Sequence, residues 1–168
     1  MGFFDKLFGG KAASETKVSG QKMTVMLPID GKVIPLEQLP DETFASAILG
    51  PGCGIEPTGD TVYAPFDGTV TQIATTLHAV GITSNDGIEL LIHVGMDTVD
   101  MKGQGFTVLV KENQKVTAGT PLLKVDLDAI RAAGHPTATA IIVTDGAGDE
   151  VKMLAEGDVA PGTPLFKV

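Results

Sequence analysis

Glycine and proline punctuate this chain from end to end: 21 Gly and 10 Pro are spread over 168 residues instead of being gathered in one linker. Both residues interrupt helices, glycine through its backbone entropy and proline through its missing N–H. Regularly spaced breakers between short apolar runs mark a series of short strands joined by turns, which favours an all-β fold. With 43% hydrophobic residues, the chain has enough apolar surface for a substantial core. Its length suits one domain and is hardly enough for two.

A formal net charge of −9 argues against a nucleic-acid partner and suits partners with basic patches. The single cysteine, Cys53, excludes an internal disulfide and reads as a small core residue kept reduced. No apolar run approaches the ~20 residues of a membrane helix. The N-terminus lacks the features of a secretion signal. These readings predict a cytoplasmic protein, peripheral to the inner face of the membrane if residues 1–8 touch it.

Residues 1–22 stand apart. Phe3, Phe4, Leu7 and Phe8 share one face if Met1–Phe8 is helical, and Gly9-Gly10 ends that helix. Residues 11–22 read as a flexible tether. The segment is either a weak membrane-surface helix, with Lys6 and Lys11 meeting anionic headgroups, or a tail without fixed structure.

From Met23 to Val168 the chain reads as one β domain with internal similarity. Met26-Leu-Pro-Ile-Asp-Gly-Lys-Val33 is echoed by Tyr63-Ala-Pro-Phe-Asp-Gly-Thr-Val70. Lys115-Val-Thr-Ala-Gly-Thr-Pro-Leu-Leu-Lys-Val125 returns as Asp158-Val-Ala-Pro-Gly-Thr-Pro-Leu-Phe-Lys-Val168. Related β-units of this kind predict a compact antiparallel β-sandwich or barrel. Only Pro40–Leu49 and Leu127–Ala133 look helical, a turn or two each.

The most informative stretch runs from Thr69 to Asp100. Strands are predicted at Thr69–Ile73, Ala79–Thr83 and Ile88–Val94, with Ser84-Asn85-Asp86-Gly87 as the hairpin turn. A hairpin centred between Asn85 and Asp86 sets His78 opposite His93, with Cβ atoms ~5 Å apart. A register shifted by one residue places them on opposite faces. Two imidazoles on one face could hold a metal, act as nucleophile and phosphate-stabilising neighbour, or form a structural pair. His135, in Gly-His-Pro, has no evident partner and is expected to be solvent-exposed.

The motif Leu90-Leu-Ile-His-Val-Gly-Met-Asp-Thr-Val99, followed by Lys102-Gly-Gln-Gly-Phe106, resembles the active-site segment of the glucose-type enzyme IIA family of the phosphoenolpyruvate-dependent sugar phosphotransferase system. The resemblance extends to Leu39-Pro-Asp-Glu-Thr-Phe44, Pro57-Thr-Gly59, Ala64-Pro65, Asp67-Gly-Thr69 and Thr76-Leu-His-Ala79, covering nearly all of residues 23–168. It implies a β-sandwich like the duplicated hybrid motif, with a shallow depression holding two histidines. His93 matches the histidine that takes a phosphoryl group from a histidine-containing phosphocarrier protein and passes it to a cysteine of a sugar-specific enzyme IIB, which works with enzyme IIC. His78 matches the histidine that holds the phosphate without carrying it. Thr76 matches a hydroxyl in the same network, and Gly95 a backbone group orienting the His93 ring. Asp41 and Asp97 match bordering carboxylates, and Phe44 part of the apolar rim. Relatives also imply regulatory binding to permeases or kinases in the unphosphorylated state. Where the family often has an aromatic residue, this chain has Ile73 and Ala74, so its docking rim is less aromatic.

The residues agree with that chemistry on their own terms. There is no nucleotide-cradling loop, since Gly50-Pro-Gly-Cys-Gly54 has the wrong spacing for a dinucleotide fingerprint. A carrier charged by another protein needs instead a nucleophile that is neutral near pH 7, as imidazole is. A second His and a Thr hydroxyl can supply donors to the transferring group. The site should be shallow, so that two proteins reach the same phosphorus in turn. Phe44 and Leu49 would exclude water, and Asp41 and Asp97 would meet basic partner surfaces, although Asp41 also suits a helix N-cap.

Two other classes compete. A biotin or lipoyl carrier needs a lysine at a hairpin tip, and Asp100-Met-Lys-Gly103 lacks the symmetric arrangement around Lys102. A zinc peptidase needs a third ligand beside His78 and His93, and none is evident. No cofactor is required by the carrier reading; zinc shared by His78, His93 and a partner's carboxylate is the one metal site the pair suggests.

Overall fold

The computed structural model describes residues 23–168. The amphipathic segment and tether expected over 1–22 lie outside the described residues. Fourteen strands follow in chain order. They are β1 (Thr24–Met26), β2 (Gly31–Pro35), β3 (Gly52–Pro57), β4 (Thr61–Tyr63), β5 (Gly68–Ile73), β6 (Ala79–Ser84) and β7 (Glu89–His93), then β8 (Phe106–Val108), β9 (Lys115–Val116), β10 (Pro121–Val125), β11 (Thr139–Asp145), β12 (Lys152–Met153), β13 (Gly157–Asp158) and β14 (Pro164–Lys167). Two short helices, α1 (Glu42–Ala45) and α2 (Leu127–Ala132), complete the element list with two 3-10 turns. Every strand pair is antiparallel. The fold is the β-sandwich expected from the breaker pattern.

The eight-stranded sheet has the order β13-β2-β3-β11-β7-β6-β5-β9. The two copies of each sequence repeat take mirrored places in it: β13 and β9 at the edges, β2 and β5 next to them. The repeats also bond to one another reciprocally. Met26 N donates to Pro65 O at 3.0 Å, and Tyr63 N donates to Pro28 O at 2.7 Å. Leu27 N donates to Thr163 O at 2.9 Å, and its counterpart Ala64 N to Thr120 O at 2.8 Å. The glycine shared by the first repeat is sterically required in both copies. A Cβ on Gly31 would collide with Glu56 O, and one on Gly68 with Thr83 O. Sequence similarity here reflects an approximate twofold architecture.

The two faces of the large sheet bury different apolar sets, as alternation along a strand dictates. Leu90 and Ile92 of β7 and Ile141 and Val143 of β11 point into the main core with Val33, Ile55, Val80 and Ile82. Their neighbours Ala140 and Ile142, with Leu91 beside them, belong to a second, smaller cluster. The chain from Ile34 to Phe44 closes over that outer face, contributing Ile34, Leu36, Leu39 and Phe44. Gly54 lets this cover approach: a Cβ there would stand 2.6 Å from Leu39 Cδ2 and 2.9 Å from Ile34 Cγ1. Cys53 is buried in the main core as expected, and burial pushes its thiol up to about 12.

Three expectations need correction. The helix expected over Pro40–Leu49 is regular only for Glu42–Ala45 and ends in turn structure, leaving Ile48 76% exposed. His135 is partly buried, because the loop it occupies folds back: His135 N donates to Ile130 O, and Pro136 O accepts from Met96 N. The β6–β7 hairpin is the third case, and it bears on the site.

Candidate functional site

The expected two-residue turn is a three-residue loop, Asn85-Asp86-Gly87. Gly87 N donates to Ser84 O at 3.0 Å, and Gly87 has a φ of +90°, a turn closed by a left-handed residue. The Ser84 hydroxyl oxygen accepts from Asp86 N and Ile88 N, which holds the loop. The extra residue shifts the register by one, so His93 faces Ala79 and not His78. On a continuous strand His78 would then point away from His93.

The regular strand ends at Ala79, although Val94 N still donates to His78 O at 2.9 Å. β6 starts at Ala79, and before it Leu77 adopts a φ of +67° in a turn where Leu77 N donates to Ala74 O. This breaks the alternation of side chains and turns His78 back toward β7. The rings of His78 and His93 meet with centroids 4.7 Å apart and planes at 81°. Adjacency of the pair therefore holds, while the register argument for it does not.

Space for the His93 ring is built into the sheet. Its cross-strand partners on both sides are alanines, Ala79 in β6 and Ala140 in β11. Phe44 of α1 packs against it with a centroid distance of 4.8 Å. Phe106, at the start of β8, stands 6.4 Å from the His78 ring. The pair thus sits on the outer face of the sheet, rimmed by apolar side chains. Phe106 also lines a concavity of about 830 Å3 bounded by Thr58, Asp60, Lys124 and Arg131, none of which touches the histidine pair.

Each imidazole is fixed through Nδ1. His93 Nδ1 lies 2.9 Å from Gly95 O, and a carbonyl only accepts, so Nδ1 carries the hydrogen and Nε2 keeps its lone pair. His78 Nδ1 lies 2.9 Å from the Thr76 hydroxyl. Gly95 has a φ of +75°, and a Cβ there would stand 2.5 Å from Thr98 Cγ2 and 3.0 Å from Pro136 O. Thr98 itself is fully buried and donates to Val94 O at 2.6 Å. It braces the turn that presents Gly95 O, a role that sequence reasoning did not reach although Thr98 lies within the quoted motif.

Burial dominates the electrostatics. It pulls the His93 pKa down to about 4, helped by neighbouring His78 and opposed by the Gly95 carbonyl and the Asp41 carboxylate. His78 is also lowered by burial, against a hydrogen bond to the Thr76 backbone. Both rings are neutral at pH 7. Asp41 serves as the N-cap of α1, accepting from Thr43 N at 2.9 Å and Phe44 N at 3.3 Å. One carboxylate therefore caps the helix that positions Phe44 and also acts on His93. Leu49 and Asp97 are exposed, beyond α1 and after Gly95 respectively, and neither hydrogen-bonds to the histidines. Among the described residues, no group of three or more His, Cys, Asp or Glu is placed to hold a metal ion.

Comparison with known proteins agrees with this geometry. Residues 23–148 match the family described as phosphoenolpyruvate-dependent sugar phosphotransferase system, EIIA 1. The PTS system glucose-specific EIIA component of Halalkalibacterium halodurans is 42% identical over 143 residues, covering 84% of this chain and 83% of that one. The glucose-specific EIICBA component of Staphylococcus carnosus is 42% identical over 160 residues, which is 95% of this chain but 24% of the relative. The chain thus spans about a quarter of that relative's length. Among solved structures, glucose permease IIA from Mycoplasma capricolum superposes with a TM-score of 0.82 at 34% identity, covering 86% of this chain and 94% of that one. No helix among the described residues is long and apolar enough to cross a membrane. By its two-histidine site, its sandwich and these matches, the chain belongs to the EIIA 1 family of the phosphoenolpyruvate-dependent sugar phosphotransferase system.

Proposed function

We propose that this chain carries a phosphoryl group on His93 Nε2 during sugar uptake. It takes the group from a histidine-containing phosphocarrier protein and delivers it to a cysteine of a sugar-specific enzyme IIB. The observation that carries this reading is the 2.9 Å bond from His93 Nδ1–H to Gly95 O, which leaves Nε2 as a bare lone pair. In the transfer, the Nε2–phosphorus bond forms as the donor's nitrogen–phosphorus bond breaks. The ring gains positive character, which strengthens its bond to Gly95 O. If the Thr76 hydroxyl donates to His78 Nδ1, the hydrogen of His78 sits on Nε2, free to bind a phosphoryl oxygen. Donation to enzyme IIB reverses the sequence, with a thiolate as acceptor.

A surface site fits two successive partners. Ile48, Leu49 and Val99 are exposed apolar residues in the segments that carry Phe44 and Gly95. Asp41 and Asp97 add negative charge for basic partners. Relatives whose names join EIIC and EIIB to EIIA support enzymes IIB and IIC as the acceptor side. Binding of permeases or kinases in the unphosphorylated state would use the same face. Zinc would need ligands from such a partner, since His78 and His93 supply two.

The test is phosphorylation with phosphoenolpyruvate, enzyme I and the phosphocarrier on wild type, His93→Ala and His78→Ala. Acid-labile, base-stable label on wild type and His78→Ala but not on His93→Ala is expected. Absence of label from every form overturns the carrier reading.

A further inference from the structure

The two halves of the domain match in sequence and in bonding, yet they differ in how each covers one strand edge. After β8, Leu109 N donates to Leu122 O at 2.9 Å; after β12, Leu154 N donates to the matching Leu165 O at 2.9 Å. In the first half the chain then runs along the edge of β5. Asn113 N donates to Val70 O at 2.6 Å, and a Glu112 carboxylate oxygen accepts from Ile73 N at 2.9 Å. Val110, next to Leu109, is buried in the main core.

The second half lacks this cover. Its link from Leu154 to Asp158 is two residues shorter than the link from Leu109 to Lys115. Ala155 stands in the place of Val110, and only Glu156 separates it from Gly157, which pairs with Val33 of β2. A groove of about 280 Å3 opens beside β2, with Val33, Pro35, Val151, Met153 and Ala155 in its lining. A cavity of about 150 Å3 accepts one benzene ring, so the groove has room for roughly two apolar side chains. Its rim is acidic, since Glu37, Asp149, Glu150 and Glu156 are all exposed around it. Among the described residues no lysine or arginine lines it.

We propose that this groove is a docking site for an extended, basic segment of a partner protein. Such a segment takes the place that the chain's own Val110 to Asn113 fills in the other half. Pro35 has no N–H to offer a visiting strand, so apolar side chains on the floor carry the contact and basic ones meet the rim. Neither histidine nor Phe44 lines the groove, so a partner seated there leaves His93 Nε2 open to its own exchange.

The experiment is a methyl NMR titration of the full chain with the synthetic peptide acetyl-Lys-Val-Arg-Val-Lys-amide. Alternation puts both valines on one face of an extended chain. The acidic counterpart acetyl-Glu-Val-Asp-Val-Glu-amide is the control. The methyls of Met153, Val33, Val151 and Ala155 should shift saturably with the basic peptide, with a Kd of about 1 mM or below, as suits a small transient contact. Leu109, after β8, should stay in place. Ala155→Val restores the side chain of the other half and should weaken binding about tenfold, as expected for one lost buried apolar contact. Glu150→Lys combined with Glu156→Lys should abolish it, with the spectrum away from the groove unchanged. Groove methyls that ignore both peptides, or respond equally to both, overturn the proposal. Shifts confined to Ala79 and Ala140 beside His93 assign the peptide to the histidine face and also overturn it. Groove shifts produced by concentrating the chain alone, with none added by the peptide, assign the groove to a second copy and overturn it likewise.

Discussion

His78 and His93 face one another ring to ring at 4.7 Å, although the sheet pairs His93 with Ala79. The left-handed turn at Leu77 reconciles the two facts by detaching His78 from the strand's alternation. The pair is held by local backbone geometry.

Burial sets the pH range of the site. With a pKa of about 4, ~90% of His93 is neutral at pH 5, where an unperturbed imidazole is almost fully charged. Phosphoryl acceptance should stay level from pH 8 to pH 5.5, measured by single-turnover labelling. A midpoint near 6.5 would contradict the burial argument. The sign for stability follows from linkage: the unfolded chain binds a proton that the native state refuses. The stability present above pH 6.5 is therefore lost as pH falls from 6.5 toward 4, on the order of 3 kcal/mol from this group. Denaturant titrations at pH 7 and pH 5 should differ by about 2 kcal/mol of it, because at pH 5 the descent toward 4 is incomplete.

Gly95→Ala should harm both fold and chemistry. Its φ of +75° and the 2.5 Å approach of the added Cβ to Thr98 Cγ2 require the turn to move. A cost of about 1–3 kcal/mol is expected from the backbone conformation alone. Moving Gly95 O frees the His93 tautomer, so acceptance should slow at pH 7 even at temperatures where the variant is fully folded. Normal acceptance in a destabilised variant would separate the carbonyl from catalysis.

Thr76→Val removes the hydroxyl 2.9 Å from His78 Nδ1 and keeps the shape. Stability should change by about 1 kcal/mol. His78 then loses its tautomer control, so phosphoryl delivery to enzyme IIB should fall, with Thr76→Ser restoring most of it. Rapid-quench transfer kinetics on both variants decide the matter; equal rates for Val and Ser would leave the hydroxyl without a role.

Asp41 has two functions that separate by substitution. Asp41→Asn keeps an oxygen for Thr43 N and Phe44 N but removes the charge that raises the His93 pKa. It should leave stability nearly unchanged and shift the His93 titration further down, as followed by NMR. Asp41→Ala loses the cap as well and should cost about 1 kcal/mol. Identical melting of the two variants would show that the cap contributes nothing.

Much of the fold was legible because its signals are local. Gly and Pro mark turn positions through steric rules that need no partner, and the repeats at Gly31 and Gly68 mark sites where only glycine fits. The motif around His93 identified the family, and that resemblance pointed to Gly95 and Thr76, each two residues from the histidine it touches. The helix after Pro40 was seen but overextended, since nothing local in Ser46–Leu49 shows that the chain turns there.

What the sequence determined, then, is the succession of strands and turns, the identity of the two histidines and, through the family motif, the Thr76 hydroxyl and the Gly95 backbone beside them. Tertiary structure decided the rest. A single extra loop residue at Gly87 changed the register, and only the packed turn at Leu77 restored the meeting of the rings. The alanines beside His93, the cover from Ile34 to Phe44 and the brace from Thr98 come from segments brought together across the sheet. Burial in that setting lowers the His93 pKa, because desolvation depends on what surrounds the ring in space, and spacing along the chain does not carry that information.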